Sequence, residues 1–175
     1  YFYTIGGGHD TIRGLGIQKI KSWLGRFGFD TLSAIDLFGE RKGFIPDPEW
    51  KAKNDVKNPT WRIGDTYNVS IGQGEMLVTP IAMARALGML ALSGNSYGFH
   101  IRKDIHSGAQ MKIEGVSGEH YSIVAQGMER GAQPGGTAQA LSWLPFPVAA
   151  KTGTAEVGKK DRVHSWFIGY APRTD

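Results

Sequence analysis

Lys151-Thr152-Gly153-Thr154 brings together residue types suited to holding an anionic ligand against a strand. Lysine supplies a cation, the threonine hydroxyls can donate hydrogen bonds, and glycine lets a ligand backbone lie against a strand. Taken alone, Lys-Thr-Gly equally fits a set of turn residues at a strand end.

The flanking sequence says what must position these residues. Pro147-Val148-Ala149-Ala150 leads into the motif, and residues 148–157 read as one strand. Gly158-Lys159-Lys160-Asp161-Arg162 is a polar turn. In the run 165–171, Trp166, Ile168 and Tyr170 alternate with Phe167, Gly169 and Ala171, and Pro172 ends it. The spacing predicts an antiparallel hairpin with the motif in its first arm. Thr152 and Thr154 then share one face, and Lys151 and Gly153 the other.

Upstream, Ile17, Ile20, Trp23, Leu24 and Phe27 recur at helical spacing and stop at Gly28. Residues 43–61, with Pro46, Pro48 and Pro59, read as a long surface connection. Thr79-Pro80 caps a helix over 81–92 that is apolar on nearly every face, and Ser93-Gly94-Asn95 closes it. Residues 99–105 alternate like a strand, and Ser117 can cap a helix reaching about Arg130. Thr137 can cap a short helical piece after Gly135-Gly136. With helices first and the strand pair last, there is no regular β-α-β alternation. The order predicts an α+β fold, helices packed on an antiparallel sheet.

Composition bounds the function. The 175 residues suit one domain or a large piece of one, and 41% hydrophobic with 21% charged residues is ordinary for a globular core. A net charge of +4, spread without a basic stripe, gives no support for nucleic-acid binding. The absence of cysteine excludes disulfides and thiolate metal sites. Tyr1-Phe2-Tyr3 begins abruptly in an apolar run and Asp175 follows closely on a strand, so both ends read as cut from something longer.

With the hairpin in place, the chain resembles the transpeptidase domain of class B penicillin-binding proteins, of the penicillin-binding protein 2 kind. The matching pieces are Gly14-Leu15-Gly16-Ile17, residues 31–39, Ile63-Gly64-Asp65, Val69-Ser70-Ile71-Gly72-Gln73-Gly74-Glu75 and Val78-Thr79-Pro80-Ile81. Gly135-Gly136-Thr137-Ala138, Lys151-Thr152-Gly153-Thr154-Ala155-Glu156 and Trp166-Phe167-Ile168-Gly169-Tyr170-Ala171-Pro172 complete the series, in family order. Lys-Thr-Gly is the third of that family's signatures, after Ser-x-x-Lys and Ser-x-Asn or Ser-x-Asp.

The resemblance implies a penicillin-binding transpeptidase or serine β-lactamase-like fold, here lacking the upstream nucleophile segment and the C-terminal sheet and helix end. It implies a peptidoglycan D,D-transpeptidase working through a serine acyl-enzyme, with no cofactor. Lys151, Thr152 and Gly153 would be catalytic, and Thr152 and Thr154 would bind the substrate carboxylate. Lys151 would polarise the site and assist proton transfer, and the Thr154 N–H would supply half of an oxyanion hole. Stem peptides, β-lactam antibiotics and proteins of the cell-elongation machinery would be partners. The location would be the periplasmic face of the inner membrane, with an anchoring helix outside these residues. The departure is that no Ser-x-x-Lys occurs: Ser22, Ser70, Ser107 and Ser142 are followed three residues on by Gly25, Gln73, Gln110 and Pro145. These residues alone are therefore expected not to form the acyl-enzyme. A non-catalytic binding or scaffolding domain, a D,D-carboxypeptidase and a β-lactamase are the alternatives.

Other motifs point to rival chemistry. Gly94-Asn95-Ser96-Tyr97-Gly98 fits Gly-x-Ser-x-Gly, with Asp104 or Asp161 and His164 in triad order, but that elbow needs a strand before it and a helix after it. A glycine-rich helix-to-strand loop is the plainer reading. His9-Asp10 beside Gly6-Gly7-Gly8 could seat a metal, though a loop histidine beside a capping aspartate fits as well. Gly72-x-Gly74 lacks a third glycine, so it is no dinucleotide fingerprint. The five tryptophans are scattered and read as packing residues.

Overall fold

Two extended runs of equal length pair in the computed structural model, which describes residues 1–104, 111–158 and 162–173. They are β3 (Ala149–Glu156) and β4 (Val163–Tyr170), antiparallel, with Ala149 opposite Tyr170 and Glu156 opposite Val163. The expected hairpin is thus present, and its register sets Lys151 against Ile168 and Gly153 against Trp166. Residues 159–161 of the expected polar turn lie outside the described residues.

The chain divides into two units, Tyr1–Leu32 with Arg41–Ala82, and Ser33–Glu40 with Met83–Asp175. In the first unit, α1 (Phe2–Gly7), α2 (Ile17–Arg26) and α4 (Ile63–Ser70) pack together, and α3 (Pro48–Asn54) follows an N-cap at Asp47. Glycine makes the α1–α4 crossing possible. A Cβ on Gly6 would fall 1.7 Å from Ser70 Oγ, and one on Gly7 would fall 2.2 Å from the Tyr67 ring. The Tyr67 hydroxyl then donates to the Gly8 carbonyl at 2.8 Å.

Helix α2 stops where its pattern predicts. Gly28 adopts φ 82°, its N–H reaches Gly25 O, and Phe29 N–H reaches Leu24 O, satisfying the last carbonyls of the helix. The connection expected over 43–61 is not continuous, because α3 lies inside it. Asp47 Oδ1 accepts from Trp50 N–H at 2.8 Å and Pro48 occupies the first helical position. The prolines there start a helix rather than exclude one.

Helix α5 (Pro80–Ala91) begins at the expected cap, with Ala82 N–H on Thr79 Oγ1 at 3.2 Å. It ends at Ser93-Gly94, where Gly94 N–H closes on Met89 O at 2.7 Å. In the second unit, β1 (Asn95–Ser96) pairs with β2 (Met111–Lys112), and α6 (Gly118–Ala132) packs on β3. Ala132 of α6, Ala138, Val148 and Ala150 form the core between helix and hairpin. Arg173 Nη1 on Glu129 Oε2 at 2.5 Å also fastens α6 to the chain just past β4, and Arg173 N–H on Pro147 O ties that segment to the start of β3.

The strand expected over 99–105 is absent from 99–104, and Ile105 lies outside the described residues. Among the described residues no strand pairs with that backbone. Instead the Asp36 carboxylate accepts from Ile101 N–H at 2.6 Å and Arg102 N–H at 3.0 Å. Among the described residues no helix is long and apolar enough to cross a membrane.

Candidate active site

The two faces of β3 have different fates. Val148 and Ala150 turn their small side chains into the core beneath α6, and Ala150 is completely buried. Two residues further along the same face, Thr152 Oγ1 donates to Thr137 Oγ1 at 2.9 Å. Two residues beyond that, Thr154 is exposed and its hydroxyl has no hydrogen-bond partner among the described residues. The covered part of this face therefore ends at the Thr137–Thr152 pair.

On the opposite face Ala149 is completely buried, while Lys151 and Gly153 are exposed. Lys151 Nζ lies in short hydrogen-bond contact with the Thr152 carbonyl oxygen of its own strand. A Cβ on Gly153 would meet Trp166 Cβ at 3.5 Å, an ordinary contact. Packing within the hairpin therefore does not demand glycine here. Since β3 pairs only with β4 among the described residues, its other edge is open. A peptide laid along that edge could touch both faces, which is how Lys151 and Thr154 could serve one ligand despite pointing apart.

Thr137 is the functional candidate that sequence reasoning placed wrongly. It was expected to cap a short helical piece. That piece exists as a 3-10 turn, Gln139–Leu141, but Ala138 is its N-cap and Thr137 turns to Thr152 instead. Gly136 holds this approach open: a Cβ there would lie 2.3 Å from Gly131 O and 2.6 Å from Arg130 O at the end of α6. The Gly135-Gly136-Thr137 block was visible in sequence, but the partner 15 residues on was not.

Rival motifs do not assemble. Ser96 is buried with its hydroxyl turned to Tyr97 O at 3.3 Å, a helix rather than a strand precedes it, and Asp104 is tied to Arg102. His164 is exposed on β4, and Asp161 lies outside the described residues. His9 Nδ1 and Asp10 Oδ2 approach to 3.1 Å on an exposed loop, and no group of three metal-ligating side chains forms among the described residues. Ser117 sits at the α6 N-cap, but its hydroxyl bonds His120 Nδ1 at 2.6 Å rather than a backbone amide.

The helices and the antiparallel hairpin that carries Lys-Thr-Gly on an open edge take the penicillin-binding and β-lactamase-like fold seen in the solved structures this chain matches. The penicillin binding protein transpeptidase domain family matches residues 10–175, and the chain belongs to it. The peptidoglycan D,D-transpeptidase MrdA of Escherichia coli K12 is 35% identical over 82% of this chain and 24% of its own length. The structure of penicillin-binding protein 2 from Pseudomonas aeruginosa, in complex with WCK 5153, superposes with a TM-score of 0.82 at 32% identity. It covers 99% of this chain and 39% of that one. The Helicobacter pylori counterpart, solved as a complex with MreC, gives 0.84 at 28% identity, covering 99% and 31%. This chain spans about a quarter of the length of the curated relatives it matches.

Proposed function

We propose that the complete protein is a peptidoglycan D,D-transpeptidase of the penicillin-binding protein 2 kind, and that these residues form the Lys-Thr-Gly side of its site. The single observation carrying this reading is the open edge of β3, where Lys151, Gly153 and Thr154 are exposed together. A serine outside these residues attacks the penultimate D-alanine carbonyl of a stem peptide. An ester forms, D-alanine departs with a proton, and the amine of a neighbouring stem then attacks the ester and frees the serine. Lys151 supplies positive charge near the transferring proton and the substrate carboxylate. Thr154 offers its hydroxyl to that carboxylate, and Thr152 joins it when its hydroxyl proton, held on Thr137 in this structure, turns to the ligand. The Thr154 N–H serves as one oxyanion donor, a contribution of about 3–4 kcal/mol to the barrier.

β-Lactams acylate the same serine and are then held against the same strand. By this reading the site faces the periplasm, an anchor outside these residues holds it to the inner membrane, and proteins of the elongation machinery bind it. The Helicobacter pylori relative's complex with MreC supports that last point. The 175 residues are one part of a transpeptidase domain. Fluorescent penicillin tests this: the complete protein labels covalently and the 175 residues alone do not. A covalent adduct on the 175 residues alone would refute the placement of the nucleophile.

A further inference from the structure

The first unit contains a cleft of about 540 Å³ that no part of the proposed reaction uses. Its size falls in the ~300–1,000 Å³ range of small-ligand sites. Two indoles line it, and both are fixed. Trp61 Nε1 donates to Thr66 Oγ1 at 2.9 Å, and the Trp50 ring packs on Phe44 with centroids 5.0 Å apart. Immobilised aromatic faces beside polar groups lose little conformational entropy when a ligand stacks on them.

The charges of the cleft restrict the ligand. Its one lysine, Lys51, is held by Asp65 at 2.7 Å, and the two side chains are only 13% and 26% exposed. Asp55 and Glu75 line it as carboxylates with no ion-pair partner among the described residues, and Asp55 Oδ1 accepts from Asn58 N–H at 3.0 Å, leaving Oδ2 for a ligand. Phosphates and free carboxylic acids are therefore repelled. An ammonium group would suit the carboxylates and the indoles. It would leave donors idle, because an ammonium only donates, and the Asn68 amide both donates and accepts. Hydroxyl-rich rings do both, and their C–H faces match an indole.

We propose that this cleft binds an uncharged saccharide, a stretch of glycan strand, with the pyranose face on Trp61 and hydroxyls on Asn68 and Asp55. The proposal rests on the reading that the complete protein acts on peptidoglycan, whose stem peptides are carried on glycan.

The test titrates the complete protein with a neutral tetrasaccharide of β-1,4-linked N-acetylglucosamine, following heat and tryptophan fluorescence. Wild type is expected to bind with Kd of order 1 mM. Asn68→Ala and Trp61→Ala should each weaken this by roughly fivefold or more, with penicillin labelling unchanged. Thermal melting checks that each variant is folded; if Trp61→Ala is not, Asn68→Ala decides. Absence of saturation by about 10 mM, or equal binding by wild type and Asn68→Ala, overturns the proposal. So does binding of a lysine-ended peptide in place of the saccharide. Labelling is measured on the same preparation. Lost labelling counts against the transpeptidase reading, whereas intact labelling without saccharide binding counts against the cleft alone.

Discussion

Thr152 Oγ1 donates to Thr137 Oγ1 at 2.9 Å, joining the Lys-Thr-Gly strand to the Gly-Gly-Thr segment 15 residues before it. The bond marks where the helix-covered part of β3 ends. It also sets which way the Thr152 hydroxyl points, while the Thr154 hydroxyl on the same face has no hydrogen-bond partner among the described residues.

Thr137→Val removes this partner while keeping the shape. A hydrogen bond worth about 1 kcal/mol predicts penicillin acylation of the complete protein slowed about fivefold, with the melting temperature nearly unchanged. Thr137→Ser should restore the wild-type rate. Acylation kinetics check this, and a valine variant as fast as wild type would show that the pair positions nothing.

Two glycines near the site should respond in opposite ways to alanine. Gly136→Ala places a methyl against the backbone carbonyls of Arg130 and Gly131, so a loss of at least about 2 kcal/mol in denaturant unfolding is expected. Gly153→Ala meets only an ordinary contact with Trp166 and should cost under about 0.5 kcal/mol. Its methyl would stand on the exposed face of β3, where it should slow acylation more than about tenfold if a ligand backbone lies there.

Asp47 links stability of the first unit to pH. The hydrogen bond from Lys21, followed by the Trp50 N–H, holds its carboxyl below the ordinary 3.8. A carboxyl that is more acidic folded than unfolded stabilises the fold above the ordinary value, and that stability fades as pH falls through 3.8 toward the lower folded value. Asp47→Ala should therefore cost about 1–2 kcal/mol at pH 7 through the lost cap of α3. Melting curves from pH 7 to pH 3 should show the gap between wild type and variant narrowing toward the acid end. A constant gap across that range would contradict the assignment.

The sequence was most legible where local pattern and pairing agree. The alternation of Trp166, Ile168 and Tyr170, and the small residues before Lys151, were enough to place the hairpin, though its register and the start of β4 at Val163 come from the folded pairing. Helix ends at Gly28 and Gly94 were legible for the same reason: chain reversal there needs only neighbouring residues. Distant partners hid the rest. Residues 99–104 alternate like a strand, yet the Asp36 carboxylate, 65 residues away from Ile101, takes their amides and leaves bends and turns. Three prolines over 43–61 suggested a bare connection, whereas Asp47-Pro48 starts α3. Within the site, residue types and faces were legible, but the use of Thr137 was not. Only the folded approach of the 3-10 segment to β3 brings the two hydroxyls together.

The role proposed for Lys151, acting on a nucleophile supplied from outside these residues, is tested by Lys151→Ala in the complete protein. Lys151 is exposed and its strand needs only an extended residue there, so the variant should melt within a few degrees of wild type. The quantity to measure is the second-order rate constant for acylation by a fluorescent penicillin. A fall of at least about a hundredfold is expected, the scale of general acid–base assistance. Equal rate constants for Lys151→Ala and wild type would contradict it.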